Sequence, residues 1–282
     1  MTQANQLAIL EVDDVVKDFG NTRANSKRGP ALNGVSVTID HTTRLGIVGE
    51  SGSGKSTLAR IIVGLETPTS GRVAYRGLDL TSFTAGEWRD FRRNVQMIGQ
   101  DTSSSFDPTR TLRDSVRRPA LELLGVKKSQ ADDLVDETLD TVGIAPWMVD
   151  RKPTDVSGGQ RQRIAIARSL VVKPALILCD EVVSALDVSV QGTVLNFLKK
   201  YCDQNNAGLV FVSHGLPATA FVSKDILVMR NGVVVEQGTV DDVLNHGQHP
   251  YTQTLIDAYR GVARPLISAP TMREPAALEE AV

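Results

Sequence analysis

Apolar residues along this chain fall into two rhythms that alternate. Over the first forty or so residues β-branched side chains alternate with polar ones, as at Val35, Val37 and Ile39, which predicts antiparallel strands over 7–19 and 35–39. A polar, basic stretch from Asn21 to Pro30 separates them as a surface loop. Residues 45–48 are wholly apolar, as a short buried strand should be, and 56–63 follow with helical spacing; further strands are predicted at 72–76 and 95–98. From about 101 to 172 the period becomes helical: Ala131, Leu134, Val135, Thr138, Leu139 and Val142 share one helix face, with Ser129 and Asp132 as a capping box and Gly143 as the stop. Continuous apolar runs return at 175–179 and 209–212, consistent with parallel strands buried on both faces. Asn231-Gly232 between 226–229 and 233–235 is a hairpin signal. Thr239 with Asp242 caps a short helix, and Pro250 starts another running to about Tyr259. The pattern predicts an α/β fold in which a helical block interrupts a chain of strands, with a poorly ordered tail beyond about 262.

Composition changes this picture little. The chain has 282 residues, of which 41% are hydrophobic and 23% charged, enough for a sizeable core. A net charge of −2 leaves no basic footprint, so nucleic acid is not the expected partner. Two cysteines, Cys179 and Cys202, are too few for a disulfide framework or a cysteine zinc site; Cys179 reads as a small buried apolar residue. No apolar run is long enough to cross a bilayer and the N-terminus lacks a signal-peptide layout, so a cytoplasmic location is expected.

The candidate chemistry sits where apolar runs end. Gly49-Glu50-Ser51-Gly52-Ser53-Gly54-Lys55-Ser56-Thr57 fits the phosphate-loop pattern and lies between a predicted strand and a predicted helix. Its glycines let successive N–H groups point inward at phosphates, Lys55 adds a cation, and Ser56 offers a hydroxyl to Mg²⁺. Asp180-Glu181 and Ser213-His214 follow the apolar runs at 175–179 and 209–212, at the sheet edge where α/β proteins bind ligands. Ser157-Gly158-Gly159-Gln160 opens a helix with free N–H groups and a hydroxyl, a second anion site or a plain cap. Phe19 reads as a core aromatic, the reading preferred on pattern alone, or as a flat face for adenine. Arg89, Arg92 and Arg93 are most simply a solvated helix face.

Taken together and in order, these residues resemble the ATP-binding cassette ATPases, the motor subunits of ABC transporters, over about residues 8–260. The family's Walker A piece falls on Gly49 to Thr57, its Q-loop on Gln100, its signature on Ser157 to Gln160, Walker B on Leu176 to Glu181, the D-loop on Ser184 to Asp187, and the switch histidine on His214. Finer wording resembles the branch serving dipeptide, oligopeptide and nickel importers: Gln100-Asp101 followed by Ser103-Ser104-Ser105-Phe106-Asp107-Pro108, and His249-Pro250-Tyr251-Thr252. The chain departs from the family at Thr43-Arg44, Gly99, Val156, Val182 and Gly215, none of them a catalytic group.

The resemblance implies a P-loop NTPase (RecA-like) core with an N-terminal antiparallel β subdomain and an inserted helical subdomain at about 101–167, all within a cassette spanning 1–262. It implies ATP and Mg²⁺ as ligands, with Ser56, Gln100 and Asp180 at the metal, Glu181 polarising the attacking water and His214 touching the γ-phosphate. It also implies a dimer of like or unlike cassettes, in which Ser157, Gly158, Gly159 and Gln160 of one subunit close over ATP held by the other. The remaining partners implied are integral-membrane permease subunits and, indirectly, a solute-binding protein, with the cassette peripheral at the cytoplasmic face of the inner membrane. A soluble, non-transport cassette ATPase is the alternative, and a cassette that binds without hydrolysing is a third reading opposed by Glu181 and His214.

Overall fold

A computed structural model describes residues 8–20, 29–100, 105–184, 186 and 188–263. Its elements, in chain order, are β1 (Leu10–Lys17), β2 (Leu32–Ile39), β3 (Arg44–Val48), α1 (Lys55–Ile62), β4 (Ser70–Tyr75), β5 (Leu78–Asp79), α2 (Ala85–Asn94), β6 (Val95–Ile98), α3 (Leu112–Pro119), α4 (Lys128–Thr141), α5 (Gly158–Leu170), β7 (Leu176–Asp180), α6 (Val188–Asn205), β8 (Gly208–Val212), α7 (Leu216–Val222), β9 (Asp225–Arg230), β10 (Val233–Thr239), α8 (Val240–His246) and α9 (Pro250–Ala263). A four-stranded antiparallel sheet runs β2-β1-β4-β5, and a six-stranded sheet runs β10-β9-β3-β8-β7-β6, parallel except for β10.

The wholly apolar strands are explained by where their two faces go. Along β7 and β8, Ile177, Cys179, Leu209 and Phe211 join the core shared with the helical block. Their neighbours Leu176, Leu178, Val210 and Val212 point the other way, into the core shared with α1 and the antiparallel sheet. Period-two geometry thus makes one strand serve two cores, and each fully buried Leu, Ile or Phe there contributes roughly 1.5–3 kcal/mol of hydrophobic stabilisation. The helical block is not self-sufficient: Val116, Ala131, Val135, Leu139 and Ile164 belong to the same continuous core as the sheet face. On its surface Arg113 reaches Asp136 at 2.9 Å and Asp150 at 2.8 Å, and Arg117 joins Asp114 and Asp132, tying α3 to α4.

Some local expectations are corrected. Helix α4 begins at Lys128, where the Gln130 amide oxygen accepts from the Lys127 N–H at 3.0 Å. Asp132, expected to complete a cap with Ser129, is drawn across to Arg117 instead, at 2.8 Å. Helix α9 continues past Tyr259 to Ala263. The unusual Arg44 is buried and donates to the carbonyls of Thr43 (3.0 Å) and Ala207 (2.8 Å) and to Asp203 (2.9 Å), clamping the end of α6 to the start of β3. The hairpin turn has both Asn231 (φ 50°) and Gly232 (φ 80°) in the left-handed region, as its residue pair predicts. The expected tail beyond 263, Asp101 and Ser103-Ser104 after the Q-loop position, and Ala185 and Asp187 of the D-loop position lie outside the described residues.

Candidate functional site

Strand register decides what meets what. Ile47 and Asp180 both pair with Val212, Ile98 pairs with Cys179, and Val48 pairs with Val228. The segments leaving β3, β6, β7, β8 and β9 therefore emerge at one carboxyl edge: the phosphate loop, Gln100, Asp180-Glu181, Ser213-His214 and Asn231-Gly232.

The loop wraps a cavity of ≈ 680 Å³ lined by Glu50 to Thr57 together with Asp18, Phe19, Pro30, Ala31, Glu181, Arg230, Asn231 and Gly232. Helix α1 starts without a side-chain cap, because its N-cap is Gly54 at φ 105°, so its first-turn N–H groups remain available to an anion. Lys55 is 5% exposed, and its ammonium donates to the carbonyls of Gly49 (2.7 Å) and Glu50 (2.8 Å). Burial holds that ammonium below the ordinary lysine range, while Glu181, Asp180 and Glu50 pull it back up. It is a cation without a full counter-charge in contact, ready to exchange two carbonyls for phosphate oxygens.

Ser56 Oγ donates to Asp180 Oδ1 at 3.2 Å, joining α1 to the end of β7. Burial pushes the Asp180 carboxyl above its usual range, against the Ser56 hydrogen bond. A hydroxyl and a buried carboxylate side by side are hard oxygen donors, so the pair fits Mg²⁺. Among the described residues no group of three or more His, Cys, Asp or Glu is placed to hold a metal, so the further ligands of such an ion would come from other groups, phosphate oxygens and water among them. Glu181 adopts φ 53°, a conformation L-residues rarely take, and its N–H donates to Val212 O at 2.9 Å. The turn sets its carboxylate 3.5 Å from His214 Nδ1 and against the cavity.

The core-aromatic reading of Phe19 is corrected: the ring is 52% exposed, on the cavity wall, with Lys17 Nζ 4.9 Å from its centroid. Gln100 follows β6 on the same edge and is exposed, outside the cavity lining. Ser157 to Gln160 do not line it either. There Ser157 Oγ accepts from Gln160 N–H at 3.2 Å and Gln160 Oε1 accepts from Ser157 N–H at 2.9 Å, closing a capping box. Sequence reasoning missed Arg230, Asn231 and Gly232 as cavity residues. The signal was present: they end a strand parallel to β3 and so belong to the same edge.

A phosphate loop, a strand-end acid pair and an edge histidine at the carboxyl end of a mainly parallel sheet define a P-loop nucleotide-binding protein. Residues 32–184 match the family model described as ABC transporter, and the chain belongs to that family as one of its ATP-binding, ATP-hydrolysing subunits. It is 44% identical over 230 residues to the oligopeptide transport ATP-binding protein OppF of Salmonella typhimurium, covering 81% of this chain and 69% of that one. It is 36% identical over 240 residues to the nickel import ATP-binding protein NikE of Shigella dysenteriae, covering 84% and 90%. The post-hydrolysis dimer of the cassette MJ0796 bound to ADP and Pi superposes with a TM-score of 0.74 at 26% identity, over 82% of this chain and 98% of that one. Among the described residues no helix is long and apolar enough to cross a membrane.

Proposed function

We propose that this ATPase energises uptake of a peptide-like solute or nickel through separate permease subunits, as a peripheral subunit at the cytoplasmic face of the membrane. The observation that carries the transport reading is the 44% identity to an oligopeptide transport ATP-binding protein across 81% of the chain, and it favours transport over a soluble cassette ATPase.

In this reading Lys55 and the N–H groups opening α1 hold the phosphates, and Phe19 offers its exposed face to the base. Glu50, Ser51, Gly52, Ser53 and Thr57 shape the cradle. Ser56, Gln100 and Asp180 hold Mg²⁺, which when bound neutralises charge on the phosphate oxygens. Glu181 orients and polarises water, and His214, beside it, contacts the γ-phosphate. Ser157, Gly158, Gly159 and Gln160 serve the cavity of a second cassette, which agrees with their absence from the lining of their own.

A groove of ≈ 590 Å³ between the α1–β4 connection and the helical block, lined by Leu65, Met97, Ser105, Leu123 and Arg168 among others, is the proposed permease seat. Leu65 is 70% exposed there. The test is a cysteine introduced at Thr109, close to this groove: crosslinks to a permease loop in membranes, together with ATPase stimulated by permease and loaded solute-binding protein, are expected. Exclusive crosslinking to ribosomal or DNA-bound proteins would replace transport with the soluble reading.

A further inference from the structure

The segment His249-Pro250-Tyr251-Thr252 has no part in the site as described so far, yet it reaches the phosphate loop. The N–H of Glu50, in the loop's first turn, donates to the phenol oxygen of Tyr251 at 2.7 Å across 201 positions of sequence. His249 and Pro250 set the start of the helix that carries that ring. Pro250 opens α9, where a missing N–H costs nothing, and His249 Nδ1 accepts from the Tyr251 N–H at 3.1 Å, capping the helix. Glu236 of β10 fixes the approach, accepting from the N–H groups of Gln248 (2.6 Å) and His249 (3.3 Å). Tyr251 is 4% exposed, and the Arg230 guanidinium lies 4.8 Å from its ring centroid while also lining the nucleotide cavity.

We propose that Tyr251 is a positioning residue for ATP: its hydroxyl pins the first turn of the phosphate loop, so that nucleotide occupancy and the docking of α9 are coupled. The inference rests on ATP binding at this loop. The loop's cradle forms only if its backbone curves correctly, and Glu50 N–H, turned away from Lys55, needs an acceptor to hold that curve. Tyr251 supplies one from an element that otherwise packs in a small core with Val48 of β3, Leu216 of α7, β9 and α8. Coupling of this kind is reciprocal: what tightens the loop on ATP also tightens α9 on the body.

The experiment uses the full chain, ATP titration by calorimetry, and hydrogen exchange of the α9 backbone with and without ATP. Tyr251→Phe removes the acceptor and keeps the ring; ATP affinity should fall about threefold to tenfold, the effect of one lost hydrogen bond. In the unmodified chain ATP should slow exchange in α9, and Tyr251→Phe should abolish that response rather than shift both states equally, as lost packing would. Lys55→Ala is the reference that weakens phosphate binding directly. Unchanged affinity in Tyr251→Phe, or α9 exchange indifferent to ATP in the unmodified chain, would overturn the coupling while leaving the nucleotide site standing. If the unmodified chain and Lys55→Ala bound ATP alike, the site assignment would fall instead. Should Tyr251→Phe not fold, the exchange response of the unmodified chain alone decides.

Discussion

Helices α1 and α5 both begin at a glycine-rich turn, but their surroundings differ. A Cβ on Gly54, ahead of α1, would come within 2.5 Å of Ala31 O, and Gly54 sits at φ 105°. Around it the loop is braced from several directions: Gly232 N–H donates to Ser53 O at 3.0 Å, and Gly49 faces the Met229 carbonyl closely enough that a Cβ would meet it at 2.2 Å. At Gly158, which opens α5, a Cβ would meet nothing within 4 Å. Ser157 and Gly158 are exposed, and among the described residues the side-chain hydrogen bonds of Ser157 stay within its own turn. One turn is braced from several directions by its own chain, while the other stands open, as the proposed closure by a second cassette requires.

The contrast can be broken at several points. Glu181→Gln, which keeps side-chain shape at the braced corner, should slow hydrolysis by about 10²–10⁴-fold with ATP still bound by calorimetry; hydrolysis at the parent rate would move the base role to another residue. Lys55→Ala should weaken ATP by roughly 10–100-fold, the worth of charged hydrogen bonds to phosphate. The glycines sharpen the comparison directly. Gly54→Ala should lower stability by about 2 kcal/mol or more, read from the thermal midpoint, because both its space and its φ forbid a side chain. Gly158→Ala should leave the isolated chain unharmed or more stable by up to ~1 kcal/mol, since alanine favours the helix, yet impair ATP-dependent dimer closure if a partner's phosphates must approach that backbone. Unimpaired closure would argue that the exposed turn is only a cap. Smallest is Ser157→Ala, expected to cost about 1 kcal/mol of stability through the lost cap.

Much of this was legible in the sequence because it is local. A loop of glycines between an apolar run and a helix, acids directly after a strand, and Asn-Gly between two apolar runs each carry their geometry within a few residues. What was not legible depends on distant partners. Phe19 is indistinguishable from a core aromatic until its neighbours are known. Asp132 looks like a capping residue and is taken by Arg117 from another helix. Nothing in the spacing of Tyr251 says that its oxygen ends at Glu50.

That last distance has a consequence for how the protein is made. At about 5–20 residues per second, the 201 positions between Glu50 and Tyr251 take roughly 10–40 s to synthesise. Strand β3 likewise waits for both of its sheet neighbours, β8 and β9, which are translated late. A ribosome therefore carries the complete phosphate-loop sequence long before it carries a working cradle. The braced loop seen here is complete only once Tyr251 and both neighbours of β3 have been made.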